Sequence, residues 1–162
     1  MSRPPDPDLA RAFRTAYGAG LALCVAWPLV LQALLGTMLR PGTGPGGELV
    51  RELGYTFTGL VCAIALFLSR RWRRVRAGFA ALPPGQRPRT LAREILVYAA
   101  LCAVSTGFGL AYHALGGPLA ERYARGFLAL SPAMFFLFVP RLPAWRRAAR
   151  KDLEPLGLEP GP

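Results

Sequence analysis

The chain predicts an all-helical membrane protein, with four transmembrane helices in a compact bundle and both termini on the cytoplasmic side. Three observations carry this. Four stretches, between Arg14 and Arg40, Glu52 and Arg70, Glu94 and Glu121, and Arg125 and Arg141, hold no charged residue, and His113 is the one histidine of the chain. A bilayer core about 30 Å thick is crossed by roughly 20 apolar residues in helical form. The arginines between the stretches fall almost entirely on alternate sides. A single domain over 1–162 follows, with spans at 14–37, 51–70, 93–115 and 119–139, a basic amphipathic loop at 70–92 and a basic tail at 140–162.

The first stretch crosses with room to spare. Its uncharged run exceeds the usual signal-peptide core of about 7 to 15 residues, and no A-x-A site follows, so it is retained as helix one. The bulky Leu23 before Cys24 argues against lipidation there. The second stretch is shorter and recruits Leu49 to Leu53. The third is long, and Thr90 offers an N-cap before it. The fourth can begin near Leu119 if Arg122 and Arg125 reach back to the headgroups. Pro28 and Pro132 each remove a backbone donor inside a span and should kink it.

Sixteen of the 20 basic residues lie before helix one, between helices two and three, or in the tail, and only Arg40, Arg51, Arg122 and Arg125 lie opposite. Short basic loops stay in the cytoplasm, so the formal charge of +11 reads as an orientation signal. It is not gathered on one soluble face and no recognition motif accompanies it, which argues against a nucleic-acid partner. Nineteen of the basic residues are Arg, and Ala, Gly and Pro are abundant. That bias fits a GC-rich bacterial genome, and the expected location is a bacterial cytoplasmic (inner) membrane, multi-pass.

Small residues mark where helices can approach. Ala99, Ala103, Gly107 and Ala111 recur every four residues in helix three; Ala16, Gly20 and Cys24 do so in helix one, Gly59 and Ala63 in helix two, and Ala129 and Ala133 in helix four. Packing within one bundle is the first reading of these faces, and a homo-oligomer seam the second. Cys24, Cys62 and Cys102 sit one per helix without a C-x-x-C pair or neighbouring ligand, as packing residues. Thr106 and Ser131 can bond to local backbone. Gly46-Gly47-Glu48-Leu49 resembles Gly116-Gly117-Pro118-Leu119, and Ala22-Leu23-Cys24 resembles Ala100-Leu101-Cys102, which is compatible with a weak two-hairpin repeat.

Beyond Ser69, Trp72, Val75, Phe79 and Leu82 keep a helical spacing while Arg70, Arg71, Arg73, Arg74 and Arg76 fill the other positions, so helix two should continue until Pro83-Pro84-Gly85 stops it. In the tail, Leu142, Trp145, Ala149 and Leu153 repeat the pattern beside Arg146 and Arg147. Both segments are candidates for contact with the anionic lipids of the cytoplasmic leaflet, or with a membrane protein partner.

On the opposite side Tyr112, His113, Glu121, Arg122, Arg125, Glu52 and Tyr55 form the one polar constellation. Glu121 and Arg125 have the spacing of a helical ion pair. An ionisable group near a membrane is a functional candidate, although snorkelling beside a carboxylate explains it structurally. One histidine cannot supply both axial ligands of a haem. No carboxylate lies deep in a span, and no triad, H-E-x-x-H, P-loop or dinucleotide fingerprint occurs. No catalytic residue, metal ligand or cofactor is therefore assigned. The expected function is a non-enzymatic accessory, scaffold or assembly component of the membrane; a small channel or uncoupled transporter, and a redox subunit or lipid- or quinone-binding protein using the His113 cluster, are the alternatives.

Overall fold

The structure, a computed structural model, describes residues 7–37 and 47–150. Within them the chain is helical and no strand occurs. Helix α1 (Pro7–Leu21) runs through a π-helical turn at Ala22–Ala26 into α2 (Trp27–Thr37). The others are α3 (Gly47–Phe79), α4 (Arg87–Leu115), α5 (Pro118–Phe138) and α6 (Leu142–Arg150). Among the described residues four helical stretches are long and apolar enough to cross a membrane, beginning at Pro7, Gly47, Pro84 and Pro118. This is the architecture of a multi-pass membrane protein.

The helices outrun the apolar stretches that define them. α3 starts at Gly47 and continues through the arginine-rich segment to Phe79 without a break. α4 begins at Arg87, with Pro88 in its first turn, where a missing N–H costs nothing. Thr90 is thus inside the helix and Gln86 occupies the cap position, without a side-chain cap bond, which corrects the expected N-cap. Leu153 and the rest of the tail after Arg150 lie outside the described residues.

Pro28 has a local consequence. A proline blocks the bond that its position would give to the carbonyl four residues earlier, and here the distortion is absorbed just before it: the Trp27 N–H reaches five residues back to Ala22 O. The widened turn holds Cys24 against α4, where its thiol donates to Ala99 O at 3.1 Å. Pro28 is itself fully buried. Pro132 lies within α5.

α4 is the central helix and packs against α1, α3 and α5. Between spans, burial brings no hydrophobic gain, because lipid is as apolar as a leucine neighbour; close packing and hydrogen bonds hold such helices together. Two glycines leave room for a neighbouring helix. A methyl group on Gly20 would meet the Phe135 ring at 2.6 Å, and one on Gly109 would meet Leu128 Cγ at 2.9 Å and Ala124 O at 3.0 Å.

The four-residue series in helix three does not form the contact face. Ala99 is buried and Ala103 half-buried, but Gly107 and Ala111 are exposed, and nothing lies within 4 Å of a methyl group placed on Gly107. The reason is geometric. With 3.6 residues per turn each four-residue step overshoots by about 40°, so Ala111 is turned roughly 120° from Ala99. The buried face takes mixed steps of three and four instead, through Leu91, Ile95, Tyr98, Cys102, Ser105, Gly109 and Tyr112. Gly59 and Ala63 of α3, and Ala129 and Ala133 of α5, are likewise exposed, whereas Ala16, Gly20 and Cys24 of helix one are buried. Neither Thr106 nor Ser131 makes the expected local bond; both hydroxyls are buried without a partner among the described residues.

Candidate functional site at the basic end of the bundle

The extension of α3 beyond the apolar stretch carries five arginines, and one of them turns inward. Arg71 Nε and Nη2 donate to the two carboxylate oxygens of Glu94 at 2.7 and 2.8 Å. Arg71 lies three residues after the buried Leu68 and four before Val75, on the same face. The Glu94 side chain is only 8% exposed. Such a fork-to-fork pair fixes orientation as well as distance. Beside it the Tyr98 hydroxyl donates to Leu68 O at 3.3 Å, a second tie between α4 and α3.

Below the ion pair the tail returns to α3. Trp145 of α6 is fully buried, its ring 5.0 Å from Phe79 and 4.9 Å from Trp72, and its indole N–H donates to Pro140 O at 3.2 Å. Arg87 bonds to the carbonyls of Ala80 and Leu82 and closes the turn between α3 and α4. Two residues read as lipid or partner contacts therefore have other roles. Arg71 is engaged with Glu94, and Trp145 packs inside the helical assembly because it sits on the apolar face of α6, opposite the exposed Arg146 and Arg147. Trp72 is half-buried against it. Arg70, Arg73, Arg74 and Arg76 are exposed.

The lone carboxylate between Glu52 and Glu121 was the available signal for this site. Glu94 stands in the first turns of span three, following a loop with seven arginines, and a buried carboxylate there needs a partner. Which arginine it takes follows from the helical phase of α3.

At the opposite end the polar constellation is dispersed. Tyr112 is buried, donates to Val50 O at 3.3 Å, and stacks on Tyr123 and Phe127 with ring centroids 5.2 and 5.5 Å away. Phe57 and Phe108 complete this aromatic cluster, stacked at 4.3 Å. Arg125 pairs with Glu121 at 2.6 Å on the surface, the two side chains 65% and 46% exposed. Arg122 and Glu52 are exposed, and Tyr55 is 74% exposed. His113 is half-buried, its Nε2 enclosed without a partner among the described residues. Glu48 and Glu52 line a shallow groove on the first turns of α3, apart from Glu121 and Arg125.

No protein-family model, curated protein or solved structure matches this chain.

Proposed function

We propose that the protein is a non-enzymatic accessory or assembly component of a bacterial cytoplasmic membrane, with the basic end of its bundle in the cytoplasm. The observation that carries this reading is how the polar side chains of the spans are employed. Arg71 with Glu94, Tyr98 with Leu68 O, Tyr112 with Val50 O and Cys24 with Ala99 O each tie one helix to another. Groups engaged in that way hold a scaffold together and leave its outer faces to meet lipid and partners. The small residues Gly107, Ala111, Gly59 and Ala63 lie on those outer faces. The cytoplasmic placement rests on the uneven division of the basic residues.

The test is isolation of the tagged full-length chain from its own membrane in mild detergent after brief crosslinking, with the captured proteins identified by mass spectrometry. The reading expects the same membrane protein at a fixed ratio in every preparation. A chain recovered alone, which conducts a solute across reconstituted vesicles or carries a haem or quinone absorbance, would contradict it.

A further inference from the structure

We propose that the groove on α3 at the basic end binds a single anionic phospholipid, with the phosphate held between Arg70 and Arg74 and an acyl chain lying along Leu66 and Phe67. The groove, about 640 Å³ in volume, is lined by Ala63, Leu66, Phe67, Arg70, Arg71 and Arg74. Each of these positions has another three or four residues away along α3, so they share a face of the helix. The face is apolar toward the centre of the span and cationic at its end. Leu66 and Phe67 remain 61% and 50% exposed.

The charges are placed for a headgroup. Arg70 and Arg74 stand about 6 Å apart along the helix axis. That matches the roughly 5–7 Å of each headgroup layer, the difference between a core of about 30 Å and a bilayer of about 40–45 Å. Arg71 is committed to Glu94, and its guanidinium carbon lies 6.0 Å from the centre of the Phe67 ring, so it shapes the groove wall. Arg70 and Arg74 make no hydrogen bond or ion pair among the described residues. Two unneutralised guanidiniums at the mouth of an apolar furrow suit a phosphodiester, which a guanidinium fork can grip with two parallel bonds. An acidic peptide would use the arginines but would leave the furrow within the span unfilled. The inference stands on the groove itself and does not depend on which side of the membrane the basic end occupies.

The test is native mass spectrometry of the intact chain in detergent, titrated with phosphatidylglycerol or with phosphatidylcholine of the same acyl chains. One phosphatidylglycerol should be retained in preference to phosphatidylcholine. Replacing both arginines, Arg70→Gln with Arg74→Gln, should weaken that binding about thirtyfold, as expected for loss of two surface charges at an anionic lipid. The control pair Arg73→Gln with Arg76→Gln removes the same charge outside the groove and should leave binding unchanged. Leu66→Gln, with every charge kept, should also weaken it. Equal losses in the two double variants would show a general attraction of basic residues to anionic lipid, and would overturn the site. Equal retention of the two lipids, full binding by Leu66→Gln, or displacement of the lipid by glycerol phosphate alone would overturn it as well.

Discussion

Arg71 and Glu94 are joined by two hydrogen bonds, at 2.7 and 2.8 Å, across 23 residues of sequence, and so clamp the basic extension of α3 to the start of α4. Removing one partner of a buried pair strands the other. The typical cost is about 3–5 kcal/mol when both are buried and under about 1 kcal/mol when both are exposed. With Glu94 buried and Arg71 30% exposed, Arg71→Leu should cost about 2 kcal/mol, between those limits. The double variant Arg71→Leu with Glu94→Leu should recover much of it, because no stranded carboxylate remains. Reversible unfolding in mixed micelles measures both, and strictly additive effects would show that the two side chains are not coupled.

Gly109 and Gly107 should behave oppositely although they are two residues apart. Gly109→Leu forces a side chain into Leu128 and the Ala124 carbonyl, and overpacking of this kind costs about 1–3 kcal/mol or more. Gly107→Leu meets open space within the bundle and should leave the detergent melting temperature of the isolated chain unchanged or raised, since glycine is a poor helix former. A melting temperature lowered equally by the two would contradict the rotation assigned to α4.

The spans themselves were legible because a bilayer demands an uncharged run of known length, and Arg and Glu mark its ends at each crossing. Their rotation was not. A soluble helix shows its inner face by being polar elsewhere, but α4 is apolar on both its lipid side and its buried side. Leu96, Val104 and Leu110 face outward as readily as Ile95 and Cys102 face inward. Small residues are then the remaining guide, and the even four-residue series ending at Ala111 drifted off the face that Gly109 occupies. The basic end was legible as an amphipathic helix through Trp72, Val75 and Phe79, but that pattern set Arg71 among the outward arginines, whereas it turns inward to Glu94. What the run of arginines concealed was that one of them had a partner in Glu94. The separate exposure of Glu52 and Tyr55 on α3 and of Arg122 on α5 follows from side-chain directions on two different helices, which sequence spacing does not relate to one another.

Trp145 secures α6, and its loss should free the tail without unfolding the spans. Trp145→Ala removes the rings' contact with Trp72 and Phe79, a truncation that costs about 3–5 kcal/mol in a packed site. Limited trypsin digestion should then cut at Arg146 and Arg147 many times faster, with the remaining chain resistant. Trp145→Phe keeps an aromatic ring and loses the bond to Pro140 O, so it should give an intermediate rate. Unchanged cutting in Trp145→Ala would show that α6 is held by something else.

Arg125 tests the remaining surface pair. Its bond to Glu121 is exposed on both sides, and such pairs contribute about 0–1 kcal/mol. Arg125→Lys should therefore match the parent chain in stability and in capture of the proposed membrane partner, and Arg125→Leu should lose less than about 1 kcal/mol. A stable Arg125→Lys chain that no longer captures its partner would instead give the planar guanidinium a binding role.

The proposed accessory role places the basic end of the bundle in the cytoplasm, and that placement can be read directly. Reporter domains fused after Gly44, Pro84, Gly117 and Gly157 should report outside, inside, outside and inside in turn, because sixteen of the 20 basic residues belong to the segments assigned to the cytoplasm. An outside signal at Pro84, in the turn between the arginine-rich end of α3 and the arginine-rich start of α4, would contradict the orientation and the account built on it.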